Sequence, residues 1–165
     1  MTSMRQPAGL IVDFLNTVDV EAGTDVLEDP RAFARWCRAH GTTPSDSDAA
    51  RRLRDSLRAM AAGERYRLEP IGMPLAPTRE GGLAPAPTDA VEAVCAAILT
   101  VTASGDLGRV KLCPADDCRE AFYDRSRNRS RVWCDMADCG NLAKVRALRG
   151  RRTSASPAPS SARSR

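Results

Sequence analysis

The chain has 165 residues, of which 42% are hydrophobic and 28% are charged, with a formal net charge of +4 at pH 7. This length is enough for one ordinary domain, or for one domain with a small module. It contains no run of about 18 apolar residues, so no membrane span is predicted. The N-terminus lacks a basic segment followed by a long apolar one, so we expect a cytoplasmic protein without a secretory signal.

The charge is distributed unevenly along the chain. Residues 1–112 carry 13 Lys and Arg against 15 Asp and Glu, which leaves this part slightly acidic. Residues 113–165 carry 12 Lys and Arg against 6 Asp and Glu. This basic C-terminal part predicts a polyanionic partner.

The N-terminal region is predicted to be mostly helical after its first segment. GLIVDFLNTVDV, residues 9–20, is typical of a short apolar strand or a buried irregular segment. A helix then follows Asp29, which can cap it, and Pro30 suits its first turn. Gly41 is expected to end this helix.

A second helix is predicted over about residues 46–62, with Ser45 as its cap. Apolar residues at helical spacing define its inward face: Ala49, Leu53, Leu57, Met60 and Ala61. Four arginines are expected on its solvated side: Arg51, Arg52, Arg54 and Arg58. Such a basic run is more typical of a hydrated helix face than of a binding surface.

Residues 63–88 are rich in proline and glycine, so a loop without regular elements is predicted there. A third helix follows, with Asp89 and Glu92 as a capping box. Apolar residues at helical spacing predict its inward face: Val91, Val94, Cys95, Ile98 and Leu99. At the end of the chain, residues 153–165 are rich in serine, proline and alanine, and we expect them to be disordered.

The six cysteines fall into two classes. Cys37 and Cys95 lie on apolar helical faces without a spaced partner, so we interpret them as core residues. The only histidine, His40, ends a predicted helix and is interpreted as a partner of the helix dipole rather than a metal ligand. The other four cysteines follow the pattern C-x(4)-C-x(15)-C-x(4)-C: Cys113, Cys118, Cys134 and Cys139.

The four spaced cysteines predict a metal site. Disulfides are disfavoured in a reducing cytoplasm, so paired cysteine spacings indicate metal or redox chemistry. Four thiolates can close a tetrahedral site around Zn²⁺, and no adjacent His or Glu could serve as a base. We therefore predict a structural zinc ion, with an iron–sulfur cluster and a thiol redox switch as alternatives. Two short strands, AFYD and RVWC, are expected between the pairs.

A basic surface is predicted around this metal site. Residues 125–152 carry 9 Lys and Arg against 2 Asp and Glu. A helix is expected after Cys139, with Leu142, Val145 and Leu148 packed on the metal module and its cations outside. Because arginine binds phosphate through two contacts, the surface predicts a nucleic-acid partner. The candidate contact residues are Arg125, Arg127, Arg129, Arg131, Asn141, Lys144, Arg146, Arg149, Arg151 and Arg152.

Residues 109–152 resemble the bacterial CGNR zinc finger, through the motifs FYDRSRNRSRVWC and CGNLAKVRALRGRR. VDFLNTVDV, Val12–Val20, is similar to the signature of the ABATE domain that usually precedes such fingers. The resemblance implies a stress-linked transcription regulator. It also implies a mostly α N-terminal domain of orthogonal helices over residues 1–108. A small treble-clef-like zinc finger would follow over residues 109–152, with a short β-hairpin and a C-terminal helix.

The chain departs from the family pattern in two places. Leu142 stands where the family has its signature arginine, so a DNA contact or loop brace made by that arginine is lost here. Residues 63–88 are short and proline-rich beside a full ABATE domain, so a ligand pocket there, if the family has one, is altered or missing. Nothing else in the sequence supports a small-molecule effector of the N-terminal domain.

Three binding functions stay open, of which DNA binding is preferred. RNA-binding modules usually stack bases on exposed aromatic side chains, whereas Phe122, Tyr123 and Trp133 are expected inside the module. A zinc module that binds proteins and no nucleic acid is the third possibility. No catalytic triad, phosphate loop or open metal site is visible, so no enzymatic activity is predicted.

Overall fold

The computed structural model describes residues 7–154, and side chains through residue 149. Contacts within the chain divide it into two units, Met1–Cys134 and Asp135–Arg165. The described part of the first unit contains four α-helices: α1 Pro7–Leu15, α2 Pro30–Ala39, α3 Ser47–Ala61 and α4 Ala90–Ala103. No helix among the described residues has both the length and the apolar character needed to cross a membrane.

The segment at residues 9–20 is largely helical, so the prediction of a short strand or a buried irregular segment is wrong. α1 begins at Pro7, which suits a first turn because its missing N–H needs no partner there. Ile11, Phe14 and Leu15 are buried and follow the spacing of one helix face. The run GLIV is apolar without interruption, so the helical period emerges only when Phe14 and Leu15 are included.

A tight hairpin follows α1 and precedes α2. Its strands are β1 Val18–Asp19 and β2 Thr24–Asp25, which pair antiparallel. α2 then begins as predicted, because Asp29 Oδ1 accepts a hydrogen bond from Arg31 N at 2.8 Å. The helix also ends as predicted before Gly41, whose φ of 71° favours glycine.

The N-cap of α3 is Asp46, so the prediction of Ser45 for that position is wrong. Asp46 Oδ1 accepts a hydrogen bond from Ala49 N at 2.7 Å. Both residue types cap helices well, and the sequence alone did not separate them. The buried residues of this helix are Ala50, Leu53, Arg54 and Leu57.

Two α3 arginines that were predicted to face solvent are instead bound to other segments of the fold, one of them buried and the other partly buried. Arg54 is only 4% exposed, and its Nη1 donates to Asp25 Oδ1 at 2.6 Å. The same nitrogen lies 3.3 Å from Thr17 Oγ1. Arg58 Nη1 donates to the carbonyl oxygen of Leu15 at 2.8 Å. These acceptors belong to distant segments, so the pattern of α3 could not show that its cations are paired inside the fold.

The Pro-rich stretch, residues 63–88, contains a hairpin, so the prediction of no regular element there is wrong. β3 Leu75–Pro77 pairs antiparallel with β4 Leu83–Pro85. In the connecting turn, Thr78 N donates to Gly82 O at 2.8 Å. Proline is tolerated in these strands because both strands of a two-stranded hairpin are edge strands.

α4 confirms the third predicted helix. Glu92 N donates to Asp89 Oδ1 at 2.9 Å, while Glu92 Oε2 accepts from Thr88 N at 2.7 Å. Its buried residues are Ala90, Val91, Val94, Ala97 and Val101. Leu99 was predicted to face inward but is 53% exposed, because it lies about 200° around the helix from Ala97.

A third hairpin packs into the same core as the helices. β5 Val110–Leu112 follows a 3-10 turn and pairs antiparallel with β6 Ala121–Tyr123. The predicted strand AFYD therefore corresponds to β6, but the prediction of a strand at residues 131–134 is wrong. Arg131 instead donates its backbone N–H to the Asp124 carboxylate, at 3.0 Å.

The two cysteines outside the spaced pattern and the histidine belong to the packing of the helices. Cys37 is fully buried and Cys95 packs partly against the same core. Burial raises the pKa of Cys37 and raises that of Cys95 to about 11, so both thiols stay protonated at neutral pH. His40 lies at the end of α2, where its Nδ1 is 2.8 Å from Trp36 O. Its Nε2 lies 3.1 Å from Asp13 Oδ2 of α1.

The described part of the second unit contains a π-helical turn, Met136–Gly140, and the helix α5, Asn141–Ser154. Asp135 caps the turn, and its Oδ1 accepts hydrogen bonds from two N–H groups at 2.6 and 3.2 Å. Residues 153 and 154 are thus helical, and the rest of the predicted disordered tail, residues 155–165, lies outside the described residues. The helix-rich N-terminal region, the small hairpins and the C-terminal helix confirm the predicted fold class.

Candidate metal centre and nucleic-acid interface

The first pair of spaced cysteines lies on a tight turn after β5. Cys113 is fully buried, and its N–H donates to Glu120 O at 2.8 Å. The chain reverses after Pro114, where Cys118 N donates to Ala115 O at 3.0 Å. Pro114 and the acidic residues Asp116 and Asp117 between the two cysteines suit such a turn.

All four spaced cysteines come together in the structure. Their thiol sulfurs lie within 4.8 Å of one another, and Cys118 Sγ is 3.5 Å from Cys134 Sγ. Around one tetrahedral ion with metal–sulfur distances of about 2.3 Å, sulfur atoms are separated by about 3.8 Å. The cluster therefore fits a single four-coordinate metal ion. It is a poor match to an iron–sulfur cluster, in which the four thiolates are distributed over two or four irons.

A buried carboxylate fixes the path of the basic loop, residues 125–131, between the cysteine pairs. Asp124 is fully buried, and its Oδ1 accepts from Ser126 N at 2.8 Å. Its Oδ2 accepts from Arg131 N at 3.0 Å and from Lys111 Nζ at 2.7 Å. Lys111 Nζ also donates to two carbonyl oxygens of the loop, at 2.6 and 2.9 Å. Both ends of the basic loop are thus tied to one ion pair.

Arg109, in the turn before β5, is a second cation that holds the basic loop. Arg109 Nη1 donates to the carbonyl oxygens of Asp124 and Ser126, both at 2.9 Å. Arg109 Nε is held in turn by Asp106 Oδ1 at 2.9 Å. The backbone of the basic loop is therefore organised by side chains from a different part of the first unit, in the absence of regular secondary structure.

The Asp124 carboxylate makes the first unit sensitive to acid. Burial raises the pKa of Asp124, but hydrogen bonds from Lys111, Ser126 and Arg131 outweigh burial and hold it well below the ordinary value of 3.8. Because the folded pKa is the lower one, this contribution to stability is fully present above the unfolded-state pKa. It is lost as the pH falls through the folded value. We expect an NMR titration of the Asp124 carboxyl carbon to give a midpoint below 3.8, and a midpoint at or above that value would contradict this account.

Two of the four predicted arginines of the basic loop point to solvent. Arg125 and Arg127 are exposed, and neither side chain has a hydrogen bond or ion pair to any part of the chain that the structure describes. Their backbone is nevertheless held by Asp124. A fixed backbone with unengaged guanidinium groups suits the binding of an external anion.

The side chains of the other two arginines of the basic loop contact other groups of the protein. Arg131 Nε donates to Trp133 O at 2.8 Å, and its guanidinium lies 4.9 Å from the centre of the Phe122 ring. Arg129 Nη2 lies 3.3 Å from Asp106 Oδ1, although half of its side chain is exposed. The structure thus divides the four arginines by role, which their regular spacing in the sequence could not do.

α5 carries the remaining predicted contacts. Three of its exposed cationic residues are Lys144, Arg146 and Arg149. Asn141 is exposed, and its Nδ2 donates to Ala137 O of the preceding turn at 2.8 Å. Arg151 and Arg152 lie on α5, but their side chains are outside the described residues.

The apolar stripe of α5 does not pack as predicted. Leu142, Val145 and Leu148 are 53%, 41% and 55% exposed. Leu142, which replaces the family's arginine, is therefore a surface residue in this structure.

Sequence reasoning missed the part that Asn16 plays in positioning the site. Asn16 Nδ2 donates to Ala121 O at 2.9 Å, and its Oδ1 accepts from Ala121 N at 2.7 Å. A side-chain amide offers the same donor and acceptor as a peptide group, so Asn16 pairs with β6 as a further strand would. The motif DFLNT thus joins α1 to the hairpin from which Cys113 and Cys118 extend.

The family model for ABATE, described as "Putative stress-induced transcription regulator", matches residues 8–121. The chain belongs to the ABATE family. The family model for the CGNR zinc finger matches residues 109–152. These matches confirm both resemblances drawn from the sequence motifs. A search of curated proteins found no match.

The two family models overlap in this ABATE protein over residues 109–121. This overlap covers β5, the turn with the first cysteine pair and the beginning of β6. The same hairpin belongs to the core of the first unit, where Val110, Leu112 and Ala121 are buried with the helices. The first half of the finger motif and the ABATE core are thus one packed structure.

Proposed function

We propose that this ABATE-family protein is a zinc-dependent, DNA-binding transcription regulator. The observation that carries the proposal is the basic loop, where Arg125 and Arg127 are exposed and unengaged on a backbone fixed by the buried Asp124. This loop lies in sequence between the two cysteine pairs. The family description as a transcription regulator supports the same function.

The donor set favours zinc as the metal. Four thiolates in a closed tetrahedral arrangement are typical of structural zinc sites, whereas a catalytic zinc keeps an open position. When bound, the ion would be held by Cys113, Cys118, Cys134 and Cys139, and it would supply stability rather than reactivity. Reduced thiols of this kind agree with a cytoplasmic protein. The proposal assigns no enzymatic activity.

Duplex DNA is favoured over RNA as the partner. Recognition of single-stranded RNA commonly depends on exposed aromatic rings that stack on bases. Here Phe122 is buried, and Tyr123 and Trp133 are partly buried. The exposed groups of the basic loop and of α5 include the cations and the Asn141 amide, which suit phosphates and base edges of a duplex.

A protein partner is the second candidate. The exposed Leu142, Val145 and Leu148 of α5 favour it, because an apolar stripe on a helix commonly packs against a partner. The affinity for the two candidate partners should depend differently on salt concentration, since apolar contacts release few counterions whereas phosphate contacts release many.

A binding titration at several salt concentrations tests the proposal. Fluorescence anisotropy should detect binding of the zinc-loaded protein to a labelled DNA duplex more strongly than to a single-stranded RNA of equal length. If about half of the nine cations in residues 125–152 contact phosphate, the slope of log K against log salt should be about −4. No salt-dependent binding to any duplex would refute DNA binding and favour the protein-interaction function.

A further inference from the structure

The first unit contains a cleft whose lining combines apolar and charged groups. It lies between α3 and the extended segment at residues 67–71, and has a volume of about 420 Å³. Its lining includes Leu53 of α3 and Val91 of α4, and both are almost completely buried. The volume lies within the range of small-molecule sites, about 300–1,000 Å³.

The outer wall of the cleft offers apolar groups that the fold leaves uncovered. Leu68 and Ile71 line the cleft, yet they are 44% and 39% exposed. The segment is tied to α3 at its beginning, where Ser56 Oγ donates to Arg67 O at 2.6 Å. Exposed apolar side chains facing a buried apolar pair leave room for an apolar group between them.

One cation of the lining has no counter-charge. Arg52 lines the cleft, is exposed, and forms no ion pair or hydrogen bond within the part of the chain that the structure describes. Neighbouring arginines are each paired with a carboxylate: Arg51 with Asp48, Arg54 with Asp25 and Arg67 with Glu69. Asp55, an acidic residue of the same lining, accepts from Arg54 Nε at 3.0 Å. Arg52 is therefore the group of this lining that is available to a ligand anion.

We propose that the cleft binds a small organic acid, with its apolar part between Leu53 and Leu68 and its carboxylate on Arg52. Arginine binds carboxylate through two parallel hydrogen bonds, which would fix the orientation of the ligand. Burial of the apolar part supplies most of the affinity. The cleft gives the first unit a place for an effector, independently of whether the basic loop binds DNA.

Titration of the zinc-loaded full chain with octanoate tests the proposal, by calorimetry and by amide NMR spectra of isotope-labelled protein. Octanoate should bind saturably with one site per chain, and the largest shifts should fall on Leu53, Leu68, Ile71 and Val91. Octanol has a similar apolar chain without the charge and should bind at least about tenfold more weakly, because it cannot form the charge-assisted pair.

Matched variants identify the groups that bind. Arg52→Gln should weaken octanoate binding about tenfold or more, whereas Arg51→Gln on the same helix should change it less than about twofold. Leu68→Ser should also weaken binding, whereas Leu83→Ser, at an exposed site on β4 outside the cleft, should not. Equal binding of octanoate and octanol, or shifts spread over other surfaces, would overturn the proposal. So would an affinity that Arg52→Gln leaves unchanged in a variant whose spectrum shows the native fold.

Discussion

Protein purified without chelators is expected to contain one zinc ion per chain, and Cys139→Ser should abolish stoichiometric zinc. The four thiol sulfurs already lie within 4.8 Å of one another, close to the arrangement that one tetrahedral ion requires. Structural zinc sites supply about 10–16 kcal/mol of apparent binding free energy in small zinc-finger peptides. Loss of one thiolate ligand should therefore have a larger effect than any other single change in this region.

The structural consequence of Cys139→Ser should be confined to part of the chain. β5 and β6 pack into the helical core, and Asn16 binds both backbone groups of Ala121, so this hairpin does not depend on the metal. Hydrogen exchange should become fast at residues 115–119 and 134–140 and should stay slow at the Ala121 amide. Most of the far-UV circular dichroism of the four N-terminal helices should persist.

Metal analysis, hydrogen exchange and circular dichroism decide the outcome, with Cys95→Ala as the control. Cys95 is partly buried in the helical core and lies outside the spaced pattern, so its removal should leave the zinc content unchanged. Protein without metal, or with an iron chromophore, would show that the assignment of zinc is wrong. Collapse of all helical signal in Cys139→Ser would show that the first unit needs the metal to fold.

How far the fold could be predicted from the sequence depended on how local each signal was. α2 and α4 were predicted well because their N-cap residues, Asp29 and Asp89, directly precede them in the sequence. α1 was missed because its apolar period begins in the uninterrupted run GLIV. The β3–β4 hairpin was missed because proline content was taken to exclude strands, although edge strands tolerate it.

In the candidate site, too, only the features with a local sequence signal could be predicted. The cysteine set follows from spacing alone, since each pair needs only its own turn. The separate roles of the basic-loop arginines could not be predicted, because they depend on Lys111 and Asp124, which are brought together by the pairing of β5 and β6. The cleft beside Arg52 likewise arises from the packing of α3, residues 67–71 and Val91 of α4, which no local pattern shows.

Replacing two arginines of the basic loop together should weaken DNA binding without lowering the stability of the fold. Arg125→Gln with Arg127→Gln should flatten the dependence of log K on log salt by about 0.9 for each lost phosphate contact, up to about 1.8 in total. The loss of affinity should be similar on all duplex sequences, because phosphate contacts position a protein without reading bases. Thermal stability should change little, since neither side chain contacts the described part of the chain.

Arg131→Gln is the matched control for each single replacement, Arg125→Gln or Arg127→Gln, because it removes one positive charge from the same loop. Its guanidinium lies over the Phe122 ring and donates to Trp133 O, so this replacement should destabilise the fold by about 1 kcal/mol. Measured on the folded fraction, the salt slope of Arg131→Gln should stay close to that of the unmodified protein. If Arg131→Gln flattened the slope as much as Arg125→Gln or Arg127→Gln alone, the loop charge would act only at long range. A flatter slope in Arg131→Gln alone would show instead that Arg131 contacts phosphate, and that its guanidinium moves away from the Phe122 ring when DNA binds.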